Sequence, residues 1–224
     1  MKSIRPQIVA SAAAALIFLF ANSLAVGDWP VVFKVASIAI LAMLAIRVDK
    51  LLATALAFGT LGDFFLGVRK IGSLDAEKLF LFGLGSFLLG HLVYIAMFRR
   101  YRPGSSSRMR TPSARTVRLP AIAAVLVALV WVLGVLRNSL GPLLVPVVAY
   151  AIVLAGMAIS AQFAELDNPL AAIGALCFVA SDAMLAISKF RGPFAGSGPL
   201  IWITYYLAQV LIFLGVALRS KRAR

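Results

Sequence analysis

Long apolar runs alternate along the chain with short segments that carry most of its charge. Most of these runs approach the ~20 residues that an α-helix needs to cross the hydrocarbon core of a membrane. Hydrophobic residues make up 62% of the sequence, which exceeds the roughly 45–50% typical of soluble domains. We therefore predict an all-α protein, a polytopic membrane helical bundle with eight transmembrane helices. The predicted spans are Ile8–Val26, Val31–Ile46, Leu51–Val68, Leu79–Phe98, Leu119–Leu136, Pro142–Ala161, Leu170–Ser188 and Leu200–Leu218.

The first apolar run has two interpretations. Lys2 and Arg5 precede it, and Ser23-Leu24-Ala25 near its end is typical of a signal-peptidase site. A retained spanning helix is favoured, because the run approaches full spanning length and further spans follow.

A basic segment divides the chain. Residues Arg99–Arg118 contain seven arginines and separate residues 1–98 from residues 119–224, within what we predict to be a single integral membrane domain. Eight spans place both termini and this segment on one side, which then carries 15 Lys and Arg residues against six on the other. By the positive-inside rule, both termini are predicted to be cytoplasmic.

The formal net charge of +14 is explained by this topology. A nucleic-acid site would need an aromatic and basic platform or a recognised binding motif, and neither is present in the sequence. We expect no nucleic-acid partner, and we expect anionic lipids at the basic loop and tail. The predicted location is the inner membrane of a bacterium.

Two aspartates interrupt otherwise apolar runs, Asp63 and Asp182. A charged side chain at the bilayer centre costs about 2.5–3.5 kcal/mol even on lenient scales, so such residues are functional-site candidates. Aligning the two aspartates also pairs Gly62 with Ser181. This match favours a parallel four-plus-four internal repeat, and the shared composition of membrane helices is the alternative explanation.

Asp63 also lies on a helix face with small side chains. Ala55, Gly59, Asp63 and Gly67 recur at every fourth residue, and small residues permit close helix approach. We therefore expect this stripe to face the interior of the bundle. A purely structural role between helices is the alternative for both carboxylates.

The supporting candidates are polar residues in the same apolar runs. Counted from the predicted helix ends, those at the depth of the aspartates, in the outer half, are Asn22, Lys34, Tyr205 and Tyr206. Those predicted nearer the midplane are His91, Tyr150 and Gln209. Ser86 and Tyr94 share a stripe with glycines on the fourth span, and Ser181 precedes Asp182.

Simpler roles stay open for several of these residues. Lys34 lies three residues inside its span, so its side chain could extend to the interface. The tyrosines could belong to an interfacial aromatic belt. His91 and Gln209 could be hydrogen-bonded packing residues.

The residue types exclude several kinds of active site. One histidine and one cysteine cannot supply the three protein ligands of a catalytic zinc. The segment around Ser86 does not match GxSxG, and no P-loop is present. We assign no metal and no cofactor to the site, and a hard cation such as Mg²⁺ at the aspartates is the alternative that stays open. A pair of carboxylates suits acid and base roles in the hydrolysis of an ether or vinyl ether.

Four segments resemble the YhhN, or lysoplasmalogenase, family of multi-span membrane proteins. They are GDFFL at Gly62–Leu66, GSFLLGHLVY at Gly85–Tyr94, FVASDAML at Phe178–Leu185 and YYLAQVLI at Tyr205–Ile212. The resemblance implies hydrolysis of the alkenyl-ether bond of a lysoplasmalogen within the membrane. The products would be an aldehyde and a glycerophosphoethanolamine or glycerophosphocholine, and Asp63 and Asp182 would be the essential catalytic residues.

Two other functions remain open. Intramembrane carboxylates in paired repeats are also typical of proton- or cation-coupled transporters, and a lipid-binding or scaffolding protein is a third possibility.

For a hydrolase, Lys34 lies on the span before that of Asp63 and is the cation expected to keep Asp63 ionised as the water-activating base. Asp182, with no cation evident at its level, would then be the general acid.

Overall fold

The computed structural model describes residues 5–23, 29–68, 70–102 and 112–219, without the side chains of residues 5, 22, 23 and 112–117. Within these ranges the chain is helical, apart from turns and an isolated β-bridge between Ile71 and Leu74. The helices are α1 (Arg5–Ser23), α2 (Val31–Ala45), α3 (Lys50–Gly67), α4 (Ala76–Arg100), α5 (Pro112–Leu136), α6 (Leu144–Gln162), α7 (Leu170–Arg191) and α8 (Ser197–Ala217). One 3-10 turn, Gly141–Leu143, precedes α6.

Six of the described helices, α3 to α8, are long and apolar enough to cross a membrane. The apolar stretches of α1 and α2, Pro6–Ala21 and Val31–Ala45, are shorter. The prediction of an all-helical protein is confirmed for the described residues, six of whose helices could cross a membrane. The count of eight spans stays a prediction.

The basic segment Arg99–Arg118 is shorter as a loop than predicted. Helix α4 continues to Arg100, and α5 begins at Pro112. Arginines in the last turn of α4 interact favourably with the helix dipole, and proline is preferred at the first helical position. Both helices therefore extend past their apolar runs. Residues 103–111 lie outside the described part of the chain.

Aspartates in the connections begin two helices. Asp49 accepts hydrogen bonds from the backbone N–H groups of Leu51 (2.8 Å) and Leu52 (3.1 Å) at the start of α3. Asp75 accepts one from the N–H of Lys78 at 2.9 Å, and this bond is the main reason that the pKa of the exposed Asp75 carboxyl is lowered. Such caps satisfy N–H groups that have no partner within the first turn.

The chain forms two compact units, Met1–Tyr94 and Ile95–Arg224. In the first unit, α1 packs on α2 and α2 packs on α3. A buried hydrogen bond from the Ser11 hydroxyl to the backbone carbonyl of Ser37, 2.8 Å long, links α1 to α2.

Small residues bring α3 and α4 close together in the first unit. A Cβ atom added at Gly62 would lie 2.5 Å from the Phe87 ring, and one at Gly90 would lie 3.2 Å from the carbonyl oxygen of Ala55. Gly67, at the other end of the predicted stripe, packs against Val31 of α2. The predicted small-residue stripe of α3 thus faces other helices.

In the second unit, α7 packs most closely on α8, and α6 packs on α5 and α7. Glycines again set the helix separation. A Cβ at Gly174 would lie 2.8 Å from the carbonyl oxygen of Ala208, and one at Gly215 would lie 2.6 Å from the backbone nitrogen of Ala171. Because the opposing atoms belong to the backbone, they cannot move aside as a flexible side chain would.

We expect Gly174→Ala to lower the stability of the second unit by about 1–3 kcal/mol, the usual cost of overpacking. Thermal unfolding in detergent would measure the change. Gly134→Ala in α5 is the matched control, since no atom lies within 4 Å of the added Cβ and alanine is the better helix former. Equal or higher stability of Gly174→Ala would contradict the close α7–α8 packing.

Candidate active site

An ion pair joins α2 to α3 in the first unit. Lys34 Nζ lies 3.0 Å from Asp63 Oδ1, and the Asp63 side chain is only 1% exposed while that of Lys34 is 18% exposed. The α2–α3 hairpin explains the meeting. Lys34 is about 16 Å from the end of α2 and Asp63 about 20 Å from the start of α3, so both lie at a similar height above the connection. The expected pairing of these two residues is present.

The surroundings of Lys34 come from α1 and from its own helix. The Phe18 ring of α1 has its centroid 6.0 Å from the ammonium nitrogen, at the outer limit of a cation–π contact. The Ser37 hydroxyl donates to the backbone carbonyl of Lys34 at 2.7 Å. Phe18 could not be identified from the sequence, because an aromatic residue in an apolar run carries no signal of its own.

Tyr150 of α6 meets Asp182 of α7 in the second unit. The Tyr150 hydroxyl donates a hydrogen bond to Asp182 Oδ2. Tyr150 is buried, and Asp182 is half-buried. Tyr150 was expected nearer the midplane than Asp182, and the depth of both residues in a membrane stays a prediction. The hydrogen bond shows that the long tyrosine side chain brings its hydroxyl to the carboxylate.

The residues around Asp182 tie α7 to α8. Ser181, one of the supporting candidates, donates from its hydroxyl to the backbone carbonyl of Ile201 at 3.0 Å. The rings of Phe178 and Tyr205 meet edge to face, with centroids 5.3 Å apart. These contacts fix α7 next to α8 directly beside the carboxylate.

Tyr205 is the centre of a polar and aromatic group on α8. The buried Gln209 amide donates to the Tyr205 hydroxyl at 3.1 Å. The Trp202 ring packs against Tyr205 and Tyr206, with centroid distances of 5.8 and 5.9 Å. The structure therefore brings together three of the predicted supporting residues, Tyr205, Tyr206 and Gln209. It adds Trp202, which was not among the residues predicted from the sequence.

The candidates on α4 differ in environment. His91 and Tyr94 are each 1% exposed and buried in the first unit. The Ser86 hydroxyl donates to the carbonyl of Phe82 in its own helix at 2.8 Å. The side chain of Asn22 lies outside the described residues.

Among the described residues, no three His, Cys, Asp or Glu side chains come together to hold a metal ion. Each unit holds an aspartate within a long apolar helix, with a polar partner from the helix before it. The partner is an ammonium at Asp63 and a phenol hydroxyl at Asp182.

We expect Lys34→Met to cost about 3 kcal/mol of unfolding free energy, because it leaves an uncompensated charge in an apolar site. The double variant Lys34→Met/Asp63→Asn should recover much of that loss, since neither charge remains. Thermal unfolding in detergent micelles would give the coupling energy.

The exposed pair Lys78–Asp75 is the control for this cycle. Its nitrogen and oxygen lie 3.4 Å apart, with side chains 58% and 61% exposed, so its coupling should stay below about 1 kcal/mol. Purely additive losses for Lys34→Met and Asp63→Asn would contradict a buried ion pair.

The amino-acid sequence is similar to those of known proteins from one family. A model of the YhhN family matches residues 29–216. The lysoplasmalogenases of Mycobacterium bovis and Mycobacterium tuberculosis are each 34% identical to it over 192 residues, which cover 82% of this chain and 68% of each relative. No solved structure matches it significantly. The chain therefore belongs to the YhhN family.

Proposed function

We propose that the protein is a membrane-embedded hydrolase of the lysoplasmalogenase type. Its substrate would be a lysophospholipid with an alkenyl-ether chain, taken up within the membrane. Its products would be an aldehyde and a glycerophosphoethanolamine or glycerophosphocholine. The relatives named lysoplasmalogenase support the reaction class, and the six long apolar helices support a substrate that resides in lipid.

The ion pair between Lys34 and Asp63 is the observation that best supports the proposed catalytic site. Burying a carboxylate and an ammonium costs several kcal/mol per ion after relaxation, and a packed apolar pair would avoid that cost. Asp182 with its tyrosine partner repeats the arrangement on different helices. We therefore propose Asp63 and Asp182 as the catalytic residues.

The reaction adds water across the vinyl ether. A carboxylic acid transfers its proton to the β-carbon of the double bond, and an oxocarbenium ion forms. Water attacks the carbon next to the ether oxygen, and a carboxylate accepts one of its protons. As the bond to the glycerol oxygen breaks, the hydroxyl proton of the hemiacetal passes to the carboxylate that served as the acid. The glycerol oxygen takes its proton from the carboxyl group that served as the base. Aldehyde and alcohol leave, and both carboxyl groups return to their starting states.

We assign the base role to Asp63 and the acid role to Asp182. The ammonium of Lys34 at 3.0 Å favours the ionised form of Asp63 that can accept a proton from water. Asp182 has a neutral hydroxyl as its partner, and a neutral partner is compatible with a protonated carboxyl group.

The remaining polar candidates are proposed to shape the substrate site. Tyr205 and Tyr206 offer aromatic faces to a cationic headgroup, and Gln209 orients Tyr205 through its hydrogen bond. The other proposed supporting residues are Asn22, Ser86, His91, Tyr94 and Ser181.

A proton- or cation-coupled transporter is the second candidate. The buried Lys34–Asp63 pair favours it, because paired charges in spanning helices are also how transporters bind a coupling ion. A transporter acts only across a sealed bilayer, whereas a hydrolase also works in detergent.

The proposed topology has eight spans in a parallel four-plus-four repeat, with both termini and the basic segment in the cytoplasm of a bacterium. The Arg219 guanidinium lies over the Tyr101 ring, 4.6 Å from its centroid. This contact supports a common side for the ends of α4 and α8, with four helices between them. The basic loop and tail would then meet anionic lipids of the inner leaflet.

We expect the purified protein in detergent to release aldehyde from a lysoplasmalogen. Asp63→Asn and Asp182→Asn should each lower kcat/KM by about 100-fold or more, as loss of a general acid or base does. Asp75→Asn, which alters an exposed carboxylate at the start of α4, should keep wild-type activity. Absence of aldehyde from the folded wild type would reject the hydrolase.

We expect single cysteines placed at Ser106 and Ser220, in a Cys177→Ala background, to react with an impermeant maleimide only after the cells are permeabilised. A cysteine at Ser73, in the connection from α3 to α4, should react in intact cells. Reaction of the Ser106 and Ser220 variants from opposite sides would reject the eight-span topology, which places both on the positive, cytoplasmic side.

A further inference from the structure

The hydrogen bond between Tyr150 and Asp182 joins two helices at a defined height. Near the α6–α7 connection, the buried Gln162 amide donates to the carbonyl of Ala172 at 3.2 Å. Tyr150 lies about 18 Å from Gln162 along α6, and Asp182 lies about 15 Å from Ala172 along α7. The two polar contacts therefore fix the register of the hairpin at both ends.

Two contacts hold Asp182, one at its carboxylate and one at its helix. At the carboxylate, the Tyr150 hydroxyl donates to Oδ2. At the helix, the adjacent Ser181 fixes α7 to the carbonyl of Ile201 in α8 at 3.0 Å. A side chain with its backbone and one oxygen both fixed has little freedom to rotate, so its second oxygen, Oδ1, takes a defined direction.

We propose that Tyr150 is the positioning residue of Asp182, an inference that rests on the proposed function. By occupying Oδ2, Tyr150 makes Oδ1 the oxygen that carries the transferable proton. When that proton moves to the β-carbon of the vinyl ether, negative charge develops on the carboxylate. The hydrogen bond from Tyr150 then becomes charge-assisted and stronger. Tyr150 thus stabilises the transition state more than the bound substrate.

A purely structural tie between α6 and α7 makes a different prediction. It would lower the stability of the protein when removed, without changing the pH dependence of the reaction. The positioning role acts through the protonation of Asp182, so it must appear in the pH profile and must vanish when Asp182 is absent.

The experiment compares Tyr150→Phe with wild type in the aldehyde-release assay. We expect kcat to fall about 10- to 100-fold, as for loss of a hydrogen bond to a charged group, with KM changed by less than about threefold. The alkaline limb of the kcat/KM profile should move to higher pH, because the carboxylate loses a donor that favours its ionised form. Tyr101→Phe, which also removes one hydroxyl from the second unit, should leave kcat and the profile unchanged.

A double variant separates action through Asp182 from an independent effect. Adding Tyr150→Phe to Asp182→Asn should lower the residual activity no further. An unchanged pH profile for Tyr150→Phe, or the same fold loss in the Asp182→Asn background, would overturn the positioning role.

Two further measurements keep the test decisive. If Tyr150→Phe fails to fold, 3-fluorotyrosine at position 150 keeps the ring and supplies a more acidic donor, and the alkaline limb should then move to lower pH. If the wild type releases no aldehyde, the proposed function is rejected, but the positioning role can still be tested. Infrared spectroscopy would measure the carboxyl stretching band of Asp182, identified by its loss in Asp182→Asn. This band must shift between wild type and Tyr150→Phe, and an unshifted band would overturn the positioning role.

Discussion

The cost of placing a carboxylate among apolar helices governs this structure. Asp63 is 1% exposed and is stabilised by Lys34 from the preceding helix, since an isolated ion in such a place would lose several kcal/mol of hydration. Asp182 is half-buried and accepts a hydrogen bond from Tyr150, again from the preceding helix. In both units the carboxylate and its partner lie on a helical hairpin, so a short connection holds the two helices in the register that the contact requires.

Close helix approach makes those contacts possible. Gly62 and Gly90 allow α4 to pack closely against α3, the helix that carries Asp63. Gly174 and Gly215 do the same for α7, the helix that carries Asp182, and α8. In a lipid environment, where apolar side chains gain little by leaving the solvent, packing of this kind supplies much of the association between helices. The glycines therefore fix the separation of the helices that carry the two carboxylates.

The different partners suit the two carboxylates to different chemistry. An ammonium group is charged and favours an ionised neighbour, whereas a phenol hydroxyl is neutral and can accompany either form of a carboxyl group. Pairs of titratable groups whose environments differ in this way are typical of acid–base catalysis. The proposed hydrolysis of a vinyl ether would use this difference directly.

The sequence by itself determined the helical class, most helix positions, the two aspartates and the small-residue stripe on α3, because apolar run length, residue spacing and the cost of buried charge are local properties. It also indicated Lys34 as the partner of Asp63, since both residues lie at similar heights on adjacent spans. Only the tertiary structure decided that Tyr150 reaches Asp182, that Phe18 faces Lys34 and that Ser181 bonds to α8. Those contacts depend on the rotation of each helix about its axis and on the reach of each side chain, and neither quantity is set by the residues of one helix alone.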